Sequence, residues 1–99
     1  MRRYRQVHVT GPSMTPTMTT GDTVLARLGA PVAAGDLVLV RWAQRPGQLS
    51  VKRAMWPEGD GWFVVGDNAN ASTDSNQLGP AEVVGVIRWR LWPRPRRVR

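Results

Sequence analysis

Three side chains bear on whether this chain does chemistry: His8 in "VHVT", Ser13 in "GPSMTPTMTTGD" and Lys52 in "LSVKRAM". Lys52 is the only lysine in a chain whose other thirteen side-chain cations are arginines. Arginine serves surface electrostatics as well as lysine does, so the exception points to titration. An ammonium in a dry site can lose its proton and become a base, whereas a guanidinium stays charged. Ser13 stands between Pro12, which fixes φ, and Met14, an apolar side chain able to anchor a turn. Gly11 leaves the backbone free to approach a ligand closely. A serine on so stiff a turn suits a nucleophile, although Gly-Pro-Ser is also an ordinary turn.

A serine nucleophile needs a base to take its proton. His8 would require a carboxylate behind its ring, and "VHVT" offers none nearby. It reads instead as a strand histidine, half-buried beside Val7 and Val9. Lys52 is the other candidate. To work near neutral pH its pKa must fall from ~10.4 to ~7–8, at a cost of roughly 4 kcal/mol of ammonium stabilisation. Desolvation supplies such a shift without any charge partner, and Val51, Met55, Trp56 and Met14 are the expected cover. Strand alternation puts Leu49, Val51, Arg53 and Met55 on one face and Ser50, Lys52, Ala54 and Trp56 on the other. That second face is either solvated or a partly covered floor, and the pattern alone does not choose.

The elements that must hold these groups are short. The runs "QVHVT", "DTVLARL", "DLVLVRWA", "LSVKRAM", "GWFVVG" and "EVVGVIRWRL" alternate or are apolar and are rich in Val, Ile and Trp. Turn clusters such as "TTGD", "GAPVAAGD", "RPGQ" and "WPEGDG" separate them. No helical period competes. The spacing predicts an all-β fold, a small open or partly closed antiparallel β-barrel with little or no helix. The polar segment "GDNANASTDSNQLGP" is the longest loop, and loops of that length in compact domains are usually functional. The five tryptophans are assigned to the core or to platforms. One catalytic domain is expected over residues 1–93, with residues 94–99 a flexible basic tail.

Composition narrows the function classes. The absence of cysteine excludes disulfides, thiolate metal sites and cysteine nucleophiles, and one histidine makes a metal cage improbable, so no cofactor or metal is expected. The formal charge is +7, and nine of the fourteen cations lie at the ends: Arg2, Arg3, Arg5, Arg88, Arg90, Arg94, Arg96, Arg97 and Arg99. They read as two solvated basic ends rather than a polyanion surface, so nucleic acid is not the expected partner. No apolar run approaches the roughly 20 residues of a bilayer span, and no apolar segment follows the basic start. The expectation is a soluble, cytoplasmic chain without a transmembrane anchor.

Taken in order, "GPSMTPT", "GD", "VKR" and "GDNANASTDS…GP" resemble the signal peptidase I-like serine proteases across residues 7–93. The resemblance implies Ser13 as nucleophile, Lys52 as general base and Ser72 as the hydroxyl that orients the lysine amine. It makes Asp67, Asn68, Asp74 and Ser75 the structural part of the last motif, and puts Met14 and Pro16 beside the substrate. Gly11 stands where some members carry an oxyanion-binding hydroxyl. The oxyanion would then rest on backbone N–H groups, chiefly that of Ser13, since Pro12 has none. Asn76 stands where the family usually has an arginine, which replaces a salt bridge with hydrogen bonds at best. A short, arginine-rich chain without an anchor looks like the branch that matures nickel-type superoxide dismutase by trimming its leader. The implied partner is a precursor protein bound as an extended segment.

Rival readings remain. Other precursors would suit the same chemistry, as would a self-cleaving repressor-type domain. From another class, a small basic β-barrel binding nucleic acid predicts steep salt dependence and an innocuous Lys52→Arg.

Overall fold

Each of the six alternating or apolar runs forms a strand. The computed structural model describes residues 3–99. Its strands are β1 (Arg3–His8), β2 (Thr23–Leu28), β3 (Leu37–Arg41), β4 (Ser50–Glu58), β5 (Gly61–Val65), β6 (Glu82–Trp92) and the short β7 (Arg96–Arg97). They form one antiparallel sheet in the order β1-β2-β6-β3-β4-β5, with β7 paired to β6. The all-β expectation holds. Among the described residues helix is confined to a 3-10 turn at Ala69–Ala71 and one α-turn, α1 (Ser75–Leu78).

The sheet has a core on each side. β3 reads "LVLV" because it is covered on both faces: Leu37 and Leu39 enter one cluster, Val38 and Val40 the other. The first cluster takes Met14 and Met18 from the loop between β1 and β2, both 1% exposed. Burying one such side chain is worth about 1.5–3 kcal/mol, enough to pin that loop to the sheet. Met14 anchors the Ser13 turn.

Strand alternation runs through Ala54 and then breaks. A register shift between Ala54 and Trp56 turns Met55 and Trp56 out to solvent, and Trp56 stacks on Phe63 at 4.5 Å. These two residues therefore give Lys52 no cover, contrary to the sequence reading, because a bulge resets the period of two. The tryptophans also divide. Trp42 is buried, but Trp56, Trp89 and Trp92 are exposed.

The end of the chain differs from its expected freedom. β7 pairs with β6, Val98 is buried in the first core cluster, and Arg99 reaches the buried Asp36 carboxylate at 3.7 Å. One apolar side chain and a hydrogen bond from Val98 N to Arg88 O hold a segment whose composition suggested a loose tail. Among the described residues no helix is long and apolar enough to cross a membrane.

Candidate active site

Ser13 sits on the turn that follows β1. Pro12 O accepts from Thr15 N at 3.1 Å and from Thr15 Oγ1 at 2.9 Å, which closes the turn around the serine. Gly11 has φ of +81°, a left-handed value that disfavours any side chain, so its glycine is required by conformation. The neck of the loop is tied by Val9 N to Asp22 O and Gly21 N to Val9 O. Among the described residues Ser13 N donates to no protein acceptor, which leaves that N–H available to a developing oxyanion.

Lys52 lies on β4 in register with Val38 of β3 and is only 4% exposed. The face left undecided by the sequence is thus a covered floor. Burial depresses the Lys52 pKa below its ordinary value of 10.5; the Asp74 charge pulls it up and the Arg45 charge pushes it down, with the net shift downward. Lys52 Nζ bonds to Ser72 Oγ at 3.0 Å, and Ser72 Oγ donates to Asp74 Oδ2 at 3.2 Å. An ionised carboxylate only accepts, so the Ser72 proton is committed to Asp74. The hydroxyl must then accept an N–H from Lys52. A neutral amine held this way keeps its lone pair for another partner.

The segment from residue 66 to residue 78 holds both halves together. Asn68 N donates to Ser13 O at 2.8 Å, Asn68 Nδ2 to Thr15 Oγ1 at 2.9 Å, and Asp67 N to Met14 Sδ at 3.4 Å. Asp67 also accepts from Thr17 Oγ1, and from Arg53 Nη2 at 2.7 Å. Arg53 neighbours Lys52 on β4, so Asp67 links the lysine strand to the serine turn. Burial raises the Asp67 pKa, but the bonds from Arg53 and Thr17 and the Arg53 charge outweigh it and leave the carboxyl below 3.8. Asp74 caps α1 reciprocally with Gln77. Its carboxylate accepts from Asn76 N and Nδ2, each at 3.0 Å, and from Gly66 N at 3.2 Å. Burial again raises the pKa, and those bonds with that from Ser72 bring it below 3.8. Asn76 thus supplies hydrogen bonds where an arginine would supply an ion pair. Arg53 takes the ionic role instead, on Asp67.

Gly66, which the sequence shows only as the first residue of the long polar loop, is a determinant of the site. A Cβ there would lie 2.3 Å from Ser72 Oγ and 2.6 Å from Ser13 O. The glycine lets the loop backbone pack against both halves of the site. Ser75 is likewise structural: its Oγ accepts from Val64 N at 2.9 Å, fixing α1 to β5.

Ser13 and Lys52 line one cavity of about 240 Å³, with walls from residues 7–14 and 48–52 and further lining from Trp42, Arg45, Ala71 and Thr73. Among the described residues no hydrogen bond joins Ser13 to Lys52; both line the cavity, and Ser72 is the amine's partner. His8 lines the same cavity, its Nδ1 3.0 Å from Thr23 Oγ1. Met14 also borders it, yet its side chain is buried in the core, and Pro16 lies exposed outside the lining. Of the two residues expected beside the substrate, Met14 acts chiefly as an anchor. Among the described residues no three His, Asp or Glu side chains gather as a metal site.

Two curated proteins are similar to this chain. The mitochondrial ATP-independent inner membrane protease subunit 1a of Arabidopsis thaliana is 35% identical, over 87% of this chain and 69% of that protein. Subunit 1b from the same organism is 31% identical, over 84% and 67%. Both are proteases, in keeping with the motif resemblance. The Peptidase S24-like family matches residues 3–88, a span that takes in the serine turn, the lysine strand and the loop clamping them. The chain accordingly belongs to the Peptidase S24-like family, and is a serine-type peptidase.

Proposed function

We propose that this chain is an endopeptidase working through a Ser13–Lys52 dyad, removing an N-terminal leader from a precursor protein. The observation that carries the reading is a buried, pKa-depressed amine and an unencumbered turn serine on one cavity. Neutral Lys52 takes the Ser13 proton as Oγ attacks the scissile carbonyl, and the oxyanion forms against Ser13 N–H. Collapse expels the leaving amine, which receives the proton from Lys52, and leaves an acyl-enzyme. Lys52 then takes a proton from water as that water attacks the ester, and returns it to Ser13 Oγ. Ser72, fixed by Asp74, keeps the amine oriented throughout. An extended peptide lying between residues 7–13 and residues 48–52 would find strand backbone on both sides.

The finer proposal is that the precursor is a nickel-type superoxide dismutase and that the leader is trimmed in the cytoplasm. It rests on the likeness of the motif set and of this arginine-rich chain to that branch. The test is incubation of the purified chain with such a precursor, reading the new N-terminus by mass spectrometry. Ser13→Ala and Lys52→Arg must each abolish the cut while the fold survives. Turnover retained in either variant refutes the dyad, and an uncut precursor refutes the substrate.

A further inference from the structure

We propose that Arg45 selects the substrate, favouring a segment that carries an acidic side chain close to the scissile bond. The inference rests on the peptidase reading and names the substrate class of the same cavity. Arg45 lies on the tight turn between β3 and β4, where its N–H donates to Trp42 O at 2.9 Å and its carbonyl accepts from Gln48 N at 3.0 Å. The turn sets this exposed arginine at the cavity that holds Ser13 and Lys52.

The charge balance of that cavity is one-sided. Of its lining side chains Arg45 carries a fixed positive charge, Lys52 is the neutral amine of the peptidase reading, and no carboxylate is among them. The acids of the chain are engaged elsewhere. Asp22 meets Arg90, Asp36 meets Arg88 and Arg99, Asp67 meets Arg53, and Glu82 meets Arg41. Asp74 is taken by Ser72, Asn76 and Gly66, while Glu58 and Asp60 sit at the tip of the β4–β5 hairpin. Among the described residues no salt bridge engages Arg45, and its charge is felt at Lys52. A cleft lined by one sign of charge concentrates ligands of the opposite sign and repels like-charged ones. A guanidinium also offers a fork of donors that a carboxylate accepts in pairs.

Short synthetic peptides of one common frame, carrying Asp, Ala or Lys at one flanking position at a time, test this. Binding is measured by calorimetry on the Ser13→Ala chain, so that it does not depend on turnover. At one position the Asp peptide is expected to bind about tenfold tighter than the Ala peptide, and the Lys peptide weaker than either. Adding Arg45→Glu, an exposed change that spares the core, is expected to reverse the order. Equal binding of the three peptides, or an order that survives Arg45→Glu, overturns the assignment. Cleavage of the same peptides by the unaltered chain is the separate readout on which the dyad stands or falls.

Discussion

A single hydroxyl joins Lys52 to Asp74: Ser72 Oγ accepts from the lysine amine at 3.0 Å and donates its own hydrogen bond to the carboxylate at 3.2 Å. The relay separates two effects that a direct ion pair would merge. A carboxylate in contact with the amine would favour ammonium and raise its pKa, defeating a base. Placed one residue further away, Asp74 orients the site while burial still prevails over its attraction.

Replacing Ser72 with Ala should therefore impair catalysis more than stability. The amine loses its acceptor and Asp74 loses one of several donors. A hydrogen bond to a charged group is worth about 1.5–3 kcal/mol, so kcat should fall roughly 10- to 100-fold with KM little changed. Steady-state kinetics on an accepted peptide, with denaturant unfolding beside it, measures both. An unchanged kcat would remove Ser72 from the relay.

The pH dependence follows from the direction of the Lys52 shift. Activity should rise through one ionisation that lies below 10.5, as ammonium gives way to amine. Stability carries the same sign. The unfolded chain binds the proton more tightly, so burying Lys52 costs stability at neutral pH and that cost fades as pH climbs from the folded pKa toward 10.5. Lys52→Met should be inactive and more stable at pH 7 by an amount on the order of 1 kcal/mol, with the advantage shrinking under alkali. Unfolding curves at several pH values decide this.

Asp67 and Asp74 give the same slope at the acid end of the scale, but there the depressed pKa adds stability instead of costing it. Both are depressed below 3.8, so their contributions are complete above that value and are lost as pH falls through their folded pKa values. The Arg53–Asp67 pair is mostly buried, its side chains 18% and 19% exposed. Asp67→Asn should cost about 1–3 kcal/mol and flatten the acid limb of the stability curve. An acid limb identical to that of the parent would show the pair to be idle.

Gly66 and Gly11 should fail for different reasons when changed to Ala. At Gly66 the new carbon meets Ser13 O at 2.6 Å, backbone that cannot swing aside, and Ser72 Oγ at 2.3 Å. Overpacking costs about 1–3 kcal/mol here, and activity should vanish because both halves of the site are displaced. At Gly11 nothing lies within 4 Å, and the penalty is the left-handed φ of +81° alone, about 1–2 kcal/mol. Equal residual activity in the two variants would contradict the close packing assigned to Gly66.

How much of this was readable in advance depended on how local each signal was. The β3 run "LVLV" and the Ser13 turn are local, and they sit where the pattern put them. The cover over Lys52 is not local. A bulge after Ala54 removed Met55 and Trp56 from it, and no alternation rule marks where a strand slips. Val98 looked like tail because one apolar residue among arginines carries no period, yet the core had room for it. Arg45 drew no notice as one arginine of thirteen, since its meaning comes from a cavity that forms only on folding.

One measurement reaches the central claim directly, because the chain has a single lysine. Isotope-labelled lysine gives one side-chain resonance, and its titration by NMR reads the Lys52 pKa in the folded chain without interference. The account predicts a midpoint displaced well below 10.5, coinciding with the rise in activity and persisting in Ser13→Ala. A midpoint at or above 10.5 would mean that the amine stays charged beside the serine, and the proposed base would be gone.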